Sequence, residues 1–163
     1  MKINLSKVFF SRNDIRLCIK LPRKMNSNLA YLLGVQIGDG YLKKVCRGTT
    51  VDYRICIDGH SINDKTFFSL ILKKLIKYLF NKDVKIATTS TGTVQISFCS
   101  KAIFTFLNQS CKIPESPKTN ITIPSEILKS SSNIKRAFLR GLADTDFSLT
   151  FKKRVKKPYY PVI

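Results

Sequence analysis

The sequence predicts an α+β fold: one α-β-β-α-β-β-α unit with a four-stranded antiparallel sheet, followed by a partial second copy of the form α-β-β. Three observations carry this expectation. One short pattern is written twice, as Ala30-Tyr-Leu-Leu-Gly34-Val-Gln-Ile-Gly38-Asp39-Gly40-Tyr-Leu42 and as Ala137-Phe-Leu-Arg-Gly141-Leu-Ala-Asp144-Thr-Asp146-Phe-Ser-Leu149. The pairs Ala30/Ala137, Leu32/Leu139, Gly34/Gly141, Asp39/Asp146 and Leu42/Leu149 are identical at a constant offset of 107 residues, the mark of a repeated structural unit. Four segments alternate apolar and polar residues at the two-residue period of strands. One segment repeats Phe68, Ile71, Leu72, Leu75 and Leu79 at helical spacing opposite Lys65, Lys73 and Lys77.

In chain order, residues 1–27 form a basic arm in which Ile15, Leu17, Ile19 and Leu21 alternate with Arg16, Cys18 and Lys20, which predicts a strand ended by Pro22. Ser27 or Asn28 caps the first repeated helix, and Gly38-Asp39-Gly40 lets the chain leave it. Tyr41 to Arg47 and Asp52 to Asp58 follow as paired strands around Gly48. Ser61-Ile-Asn-Asp64 has the form of a capping box before the long helix. Strands around Ile86 and Thr93–Phe98 and a helix from Lys101 to Asn108 complete a half-domain, 28–110. Pro114, Pro117 and Pro124 mark a linker, 111–132, with a short turn near Ser125. Residues 133–163 hold the second helix and a strand with Leu149 and Phe151 facing inward. By the offset, Ile163 corresponds to Cys56, so this copy is expected to be truncated.

Twenty-nine Lys and Arg against 10 Asp and Glu give a net charge of +19, which points to a polyanionic partner. The expectation is nucleic acid and no membrane, because no apolar run reaches the roughly 20 residues of a spanning helix. Five scattered cysteines without a Cys-x-x-Cys pair, and the absence of a secretory signal pattern, predict an intracellular reducing compartment, cytoplasmic or organellar. A single histidine and the lack of a phosphate-loop motif exclude most standard enzyme signatures.

The chemistry is expected at the two helix ends. A helix C-terminus carries partial negative charge, so an aspartate there is unfavourable unless a cation answers it. Gly34 and Gly141 cost helix propensity, about 1 kcal/mol each relative to alanine, and close backbone approach is the simplest reason for them. Asp39 and Asp146 would then meet as a like-charge pair suited to Mg2+ or another divalent cation. Asp144 reads as a solvated helix-end acid with no share in this chemistry.

The doubled pattern, with its terminal acids and the element order that follows, resembles the LAGLIDADG homing endonucleases from about residue 27 to the end. That resemblance implies paired signature helices with Gly34 and Gly141 at their interface, and a metal held by Asp39 and Asp146 with the carbonyls of Gly38 and Thr145. It implies phosphodiester hydrolysis that makes a site-specific double-strand break with 3′ overhangs in double-stranded DNA. Lys101 and His60 stand where the family places basic helpers, so both are expected at the catalytic centre. The outward strand residues Lys43, Arg47, Arg54, Lys85, Gln95, Lys152 and Arg154 are expected to contact DNA. Phe147 departs from the family glycine matched by Gly40. Two signature helices on one chain imply a monomer, with a dimer as the alternative if the second half is truncated. The rival reading is a non-cleaving nucleic-acid binder, such as a maturase acting on intron RNA or a degenerate remnant.

Overall fold

Antiparallel strands β1 (Gly40–Arg47), β2 (Thr50–His60), β3 (Ile86–Thr88) and β4 (Thr93–Cys99) form one sheet in the order β1-β2-β4-β3. The computed structural model describes residues 2–118 and 121–146 in full, and 150–152 and 160–162 as backbone strands. Register sorts the side chains. Leu42 pairs with Ile55, and Ile57 with Ile96, so these apolar residues share the face covered by helices and are buried. Lys43 pairs with Arg54, and Asp58 with Gln95, on the opposite, polar face.

Helix α1 (Arg12–Arg16) lies in the N-terminal arm and α2 (Ser27–Ile37) leads into β1. A continuous helix α3 spans 65–80, α4 spans 101–110, α5 is Ser125–Leu128 and α6 is Ser132–Asp146. Strands β5 (Thr150–Lys152) and β6 (Tyr160–Val162) pair antiparallel as a separate small sheet. The α-β-β-α-β-β-α unit and its α-β-β continuation are therefore the observed architecture. Among the described residues no helix is long and apolar enough to cross a membrane.

The arm differs from its expected strand. Ser11 and Asp14 form a capping box that starts α1, Ile15 and Leu17 are exposed, and Cys18 takes a left-handed φ of 51°. The arm is nonetheless anchored: Ile3, Ile19 and Met25 join the core, and Asp14 is 2% exposed. The Asp14 carboxylate accepts hydrogen bonds from Ser11 Oγ and Ser100 Oγ, both at 2.6 Å, and from the Ala102 amide at 3.1 Å. Burial raises its pKa, but the hydrogen bonds from Ser100 and Ser11 outweigh this and hold it below the usual carboxylate value.

Two other local expectations change. Ser61 does not start a capping box; the Asp64 carboxylate accepts from the His60 amide at 2.6 Å instead. Within α3 a wider π turn over Phe68–Leu72 rotates the apolar face, so Ile76 and Phe80 are buried while Ile71 is exposed. The first repeated helix is capped by Asn26, whose side chain accepts from the Leu29 amide at 2.8 Å, one residue earlier than expected.

Candidate active site

Helices α2 and α6 pack backbone to backbone. A Cβ on Gly34 would collide with the Phe138 carbonyl oxygen and stand 2.7 Å from the Leu142 nitrogen. One on Gly141 would collide with the Tyr31 carbonyl oxygen. Only hydrogen in place of a side chain permits this approach, which sets the separation of the two C-termini. Tyr31 fastens the same pair, its hydroxyl donating to Asp144 Oδ2 at 2.6 Å; burial and that bond push the phenol pKa upward. Asp144, read in the sequence as a solvated acid, thus bridges the helices, with Arg140 Nε 3.8 Å away.

The helix ends meet at Gly38. Its φ is −67°, so left-handed geometry does not require glycine there; a Cβ would collide with Thr145 Oγ1 and lie 3.2 Å from Asp146 Oδ2. Asp146 is the last residue of α6, whereas Asp39 lies two residues beyond α2, its carbonyl accepting from the Asp58 amide at 3.2 Å. The Asp39 carboxyl pKa is raised, first by burial and then by Asp146 and Asp64. The two acids are therefore close enough to repel each other.

A cation that sequence reasoning missed answers them. Lys118 Nζ donates to the Ile37 and Gly38 carbonyls, both at 2.6 Å, satisfying orphan acceptors at the end of α2. Burial lowers the Lys118 pKa, while Asp146 and Asp39 oppose that shift. The linker delivers it: Glu115 bridges alongside Leu42 and pairs with Lys44 at 2.7 Å, and the Ser116 amide donates to the Leu42 carbonyl at 2.7 Å. A lysine among prolines has no periodicity to mark it, so only the linker's path along β1 reveals the contact. The Gly38 carbonyl, assigned to metal by resemblance, is here an acceptor for Lys118. Thr145 presents its hydroxyl to Gly38, and that hydroxyl donates within α6 to the Leu142 carbonyl at 2.9 Å.

Other predicted residues are dispersed. His60 ends β2, exposed, two residues beyond Asp58 at the acid end of the sheet. Lys101 is at the other end. Thr93 pairs with His60 and Cys99 with Arg54, so β4 runs away from the acids by about 13 Å from Gln95 to Cys99, at about 3.3 Å per residue. The Lys101 ammonium instead sits 5.5 Å from the Tyr53 ring centroid and 5.7 Å from that of Phe9. Its expected place at the catalytic centre is thus corrected by strand direction. Lys43, Arg47, Arg54 and Gln95 share the polar sheet face, and Lys85 is exposed just before β3. Two of these are already engaged: Gln95 Nε2 donates to Asp58 Oδ1 at 2.6 Å, and Arg47 Nε lies 3.3 Å from Asp52. Lys152 belongs to β5, its side chain outside the description, and Arg154 and Phe147 lie outside the described residues.

Mesophilic variants of the homing endonuclease I-DmoI share 27% identity with this chain, covering 72% of it and 56% of their own length, with a TM-score of 0.53. I-DmoI in complex with DNA and Mn shares 25% identity over 75% of this chain and 63% of its own, with a TM-score of 0.55. The corresponding complex with DNA and Ca gives 26%, 72%, 56% and 0.53. The chain has the LAGLIDADG homing-endonuclease fold. In this architecture α2 and α6 are the paired helices and β1–β4 the four-stranded sheet beside them. The chain spans 56–63% of the length of the I-DmoI structures it matches. No family model and no curated protein matches the sequence.

Proposed function

We propose that this protein is a DNA endonuclease of the homing type that hydrolyses phosphodiesters in double-stranded DNA and leaves 3′ overhangs. The observation that carries this reading is the meeting of Asp39 and Asp146 at the base of two backbone-packed helices, beside a sheet face bearing Lys43, Arg47 and Arg54. I-DmoI has been seen with DNA and Mn or Ca, which supports a divalent cation here. Among the described residues no group of three or more His, Cys, Asp or Glu forms a protein-only metal cage. Two carboxylates fit Mg2+, which usually binds through one or two carboxylates, substrate phosphates and retained waters. Bound between Asp39 and Asp146, such an ion would supply Lewis-acid stabilisation of the phosphate. Water attacks phosphorus, the bond to the 3′ oxygen breaks, and the products are a 5′ phosphate and a 3′ hydroxyl. Lys118, beside both acids, offsets negative charge at the reacting phosphate, and His60 offers an exposed proton acceptor at the same sheet end.

The test is Mg2+-dependent cleavage of a randomised-insert plasmid library, with DNA binding measured in parallel by gel shift. Asp39→Asn and Asp146→Asn should each lower cleavage at least about 100-fold, the scale expected when a positioned catalytic group is removed, and leave affinity within twofold. Lys118→Met should slow cleavage with the same retention of binding. Unchanged cleavage in both Asn variants would sink the proposal. A second reading, binding without cleavage as in a maturase or remnant, is favoured by one contact, the Lys118 ammonium on the Gly38 carbonyl. Tight binding with no cleavage in any divalent cation would establish it.

A further inference from the structure

Behind the sheet, on the side away from Lys43 and Arg54, lies a cavity of about 470 Å³ lined by Lys7, Phe9, Lys44, Tyr53, Lys101 and Phe104. Its side follows from register, because Lys44 pairs with Tyr53 on the face that also carries Leu42 and Ile55. We propose that this cavity binds an unpaired nucleotide of a single-stranded nucleic acid, with its base against Phe9 and its phosphates on Lys7 and Lys101. The proposal is independent of the cleavage reading and uses none of the residues assigned to it.

The lining has both halves of the required chemistry. Aromatic rings accept the face of any base, and ammonium groups accept phosphate. Phe9 is 57% exposed, and its amide donates to Thr105 Oγ1 at 3.1 Å, so the backbone that carries this half-exposed ring is anchored at the cavity. Lys101 is gripped between Tyr53 and Phe9, and the Lys44 ammonium lies 5.7 Å from the Phe104 ring centroid. Lys44 also pairs with Glu115, but among the described residues neither Lys7 nor Lys101 has a carboxylate partner. Lys101 occupies the first turn of α4, where the helix dipole disfavours a cation, so helix stability does not explain it. The volume falls in the range of small-ligand sites. A stacked duplex offers no free base face, which selects an unpaired strand.

The experiment is fluorescence anisotropy at 150 mM salt with labelled oligouridine and oligothymidine 12-mers, and unlabelled duplex DNA as competitor. Phe9→Ala and Lys101→Ala should each weaken single-strand binding at least fivefold, Phe9→Trp should retain it, and Lys73→Ala, an exposed lysine on α3 away from the cavity, should leave it within twofold. Thermal melts check that each variant is folded; Phe9 is exposed, and half-buried Lys101, which lies against Tyr53, is also tested as Lys101→Met, which keeps the stem and should weaken binding as Lys101→Ala does. Tighter binding of the ribo-oligomer identifies RNA as the source, and equal affinities identify any unpaired strand. Phe9→Ala binding within twofold of wild type, or Lys73→Ala weakening single strands as much as Lys101→Ala does, overturns the proposal. Asp39→Asn should not affect this assay, so its outcome is separate from that of cleavage.

Discussion

At Gly34 and Gly141 a missing side chain decides where two helices lie. The obstacle to alanine at either position is the partner's backbone, which cannot rotate aside as a side-chain tip can. Gly34→Ala would gain about 1 kcal/mol of helix propensity and still be expected to lose stability, because a clash with rigid backbone belongs at the upper end of overpacking costs, about 2–3 kcal/mol. Urea denaturation should show a net loss of about 1–2 kcal/mol for Gly34→Ala and for Gly141→Ala, with cleavage reduced as the acids separate. A variant as stable as wild type would show that the helices can part without cost. Gly38 follows the same logic, since Thr145 rather than an unusual backbone angle excludes a side chain there.

Between elements, Asp14 carries the attachment of the arm. It caps α1 and at the same time accepts from Ser100 and Ala102 at the start of α4. Asp14→Ala leaves those donors unpaired in a buried site and should cost about 2 kcal/mol at pH 7. The folded pKa lies below the unfolded one, so this contribution is complete above about pH 4 and fades as pH falls through the folded value. The gap in urea stability between wild type and Asp14→Ala should therefore narrow only below about pH 4. A gap that narrows between pH 7 and 5 would contradict the assignment. The same capping pattern shows where the sequence was not legible. Ser11-Arg-Asn-Asp14, in an arm read as a strand, forms a box, whereas Ser61-Ile-Asn-Asp64, expected to form one, does not, because the amide at the end of β2 takes Asp64. Alternation read the strands of the sheet well, since one face of each is buried. It misread Ile15–Leu21, where a cap and a left-handed Cys18 override the pattern. The repeat marked both acids and both glycines, but Lys118 was hidden in a segment with no period, and Lys101 was misplaced because order along the chain does not give strand direction.

For the whole molecule, a net charge of +19 means that the proposed nucleic-acid binding would be governed by ion release. The logarithm of duplex affinity should fall linearly with the logarithm of salt concentration, and Lys43→Ala should reduce the slope by about 0.9 if that lysine meets one phosphate. An unchanged slope would remove Lys43 from the DNA contact. Charge alone does not say which face is used; the register of β1 and β2 assigns Lys43 and Arg54 to one side and Lys44 and Tyr53 to the other.

Lys118 gives this architecture an unusual independence. Small metal-dependent domains commonly fold only when their ion is present, so scarcity of the ion unfolds them. Here the chain brings its own positive charge to the point where two negative ones are forced together. The scaffold can therefore assemble in an ion-poor solution, and in the proposed endonuclease supply of the ion would govern when it acts rather than whether it exists.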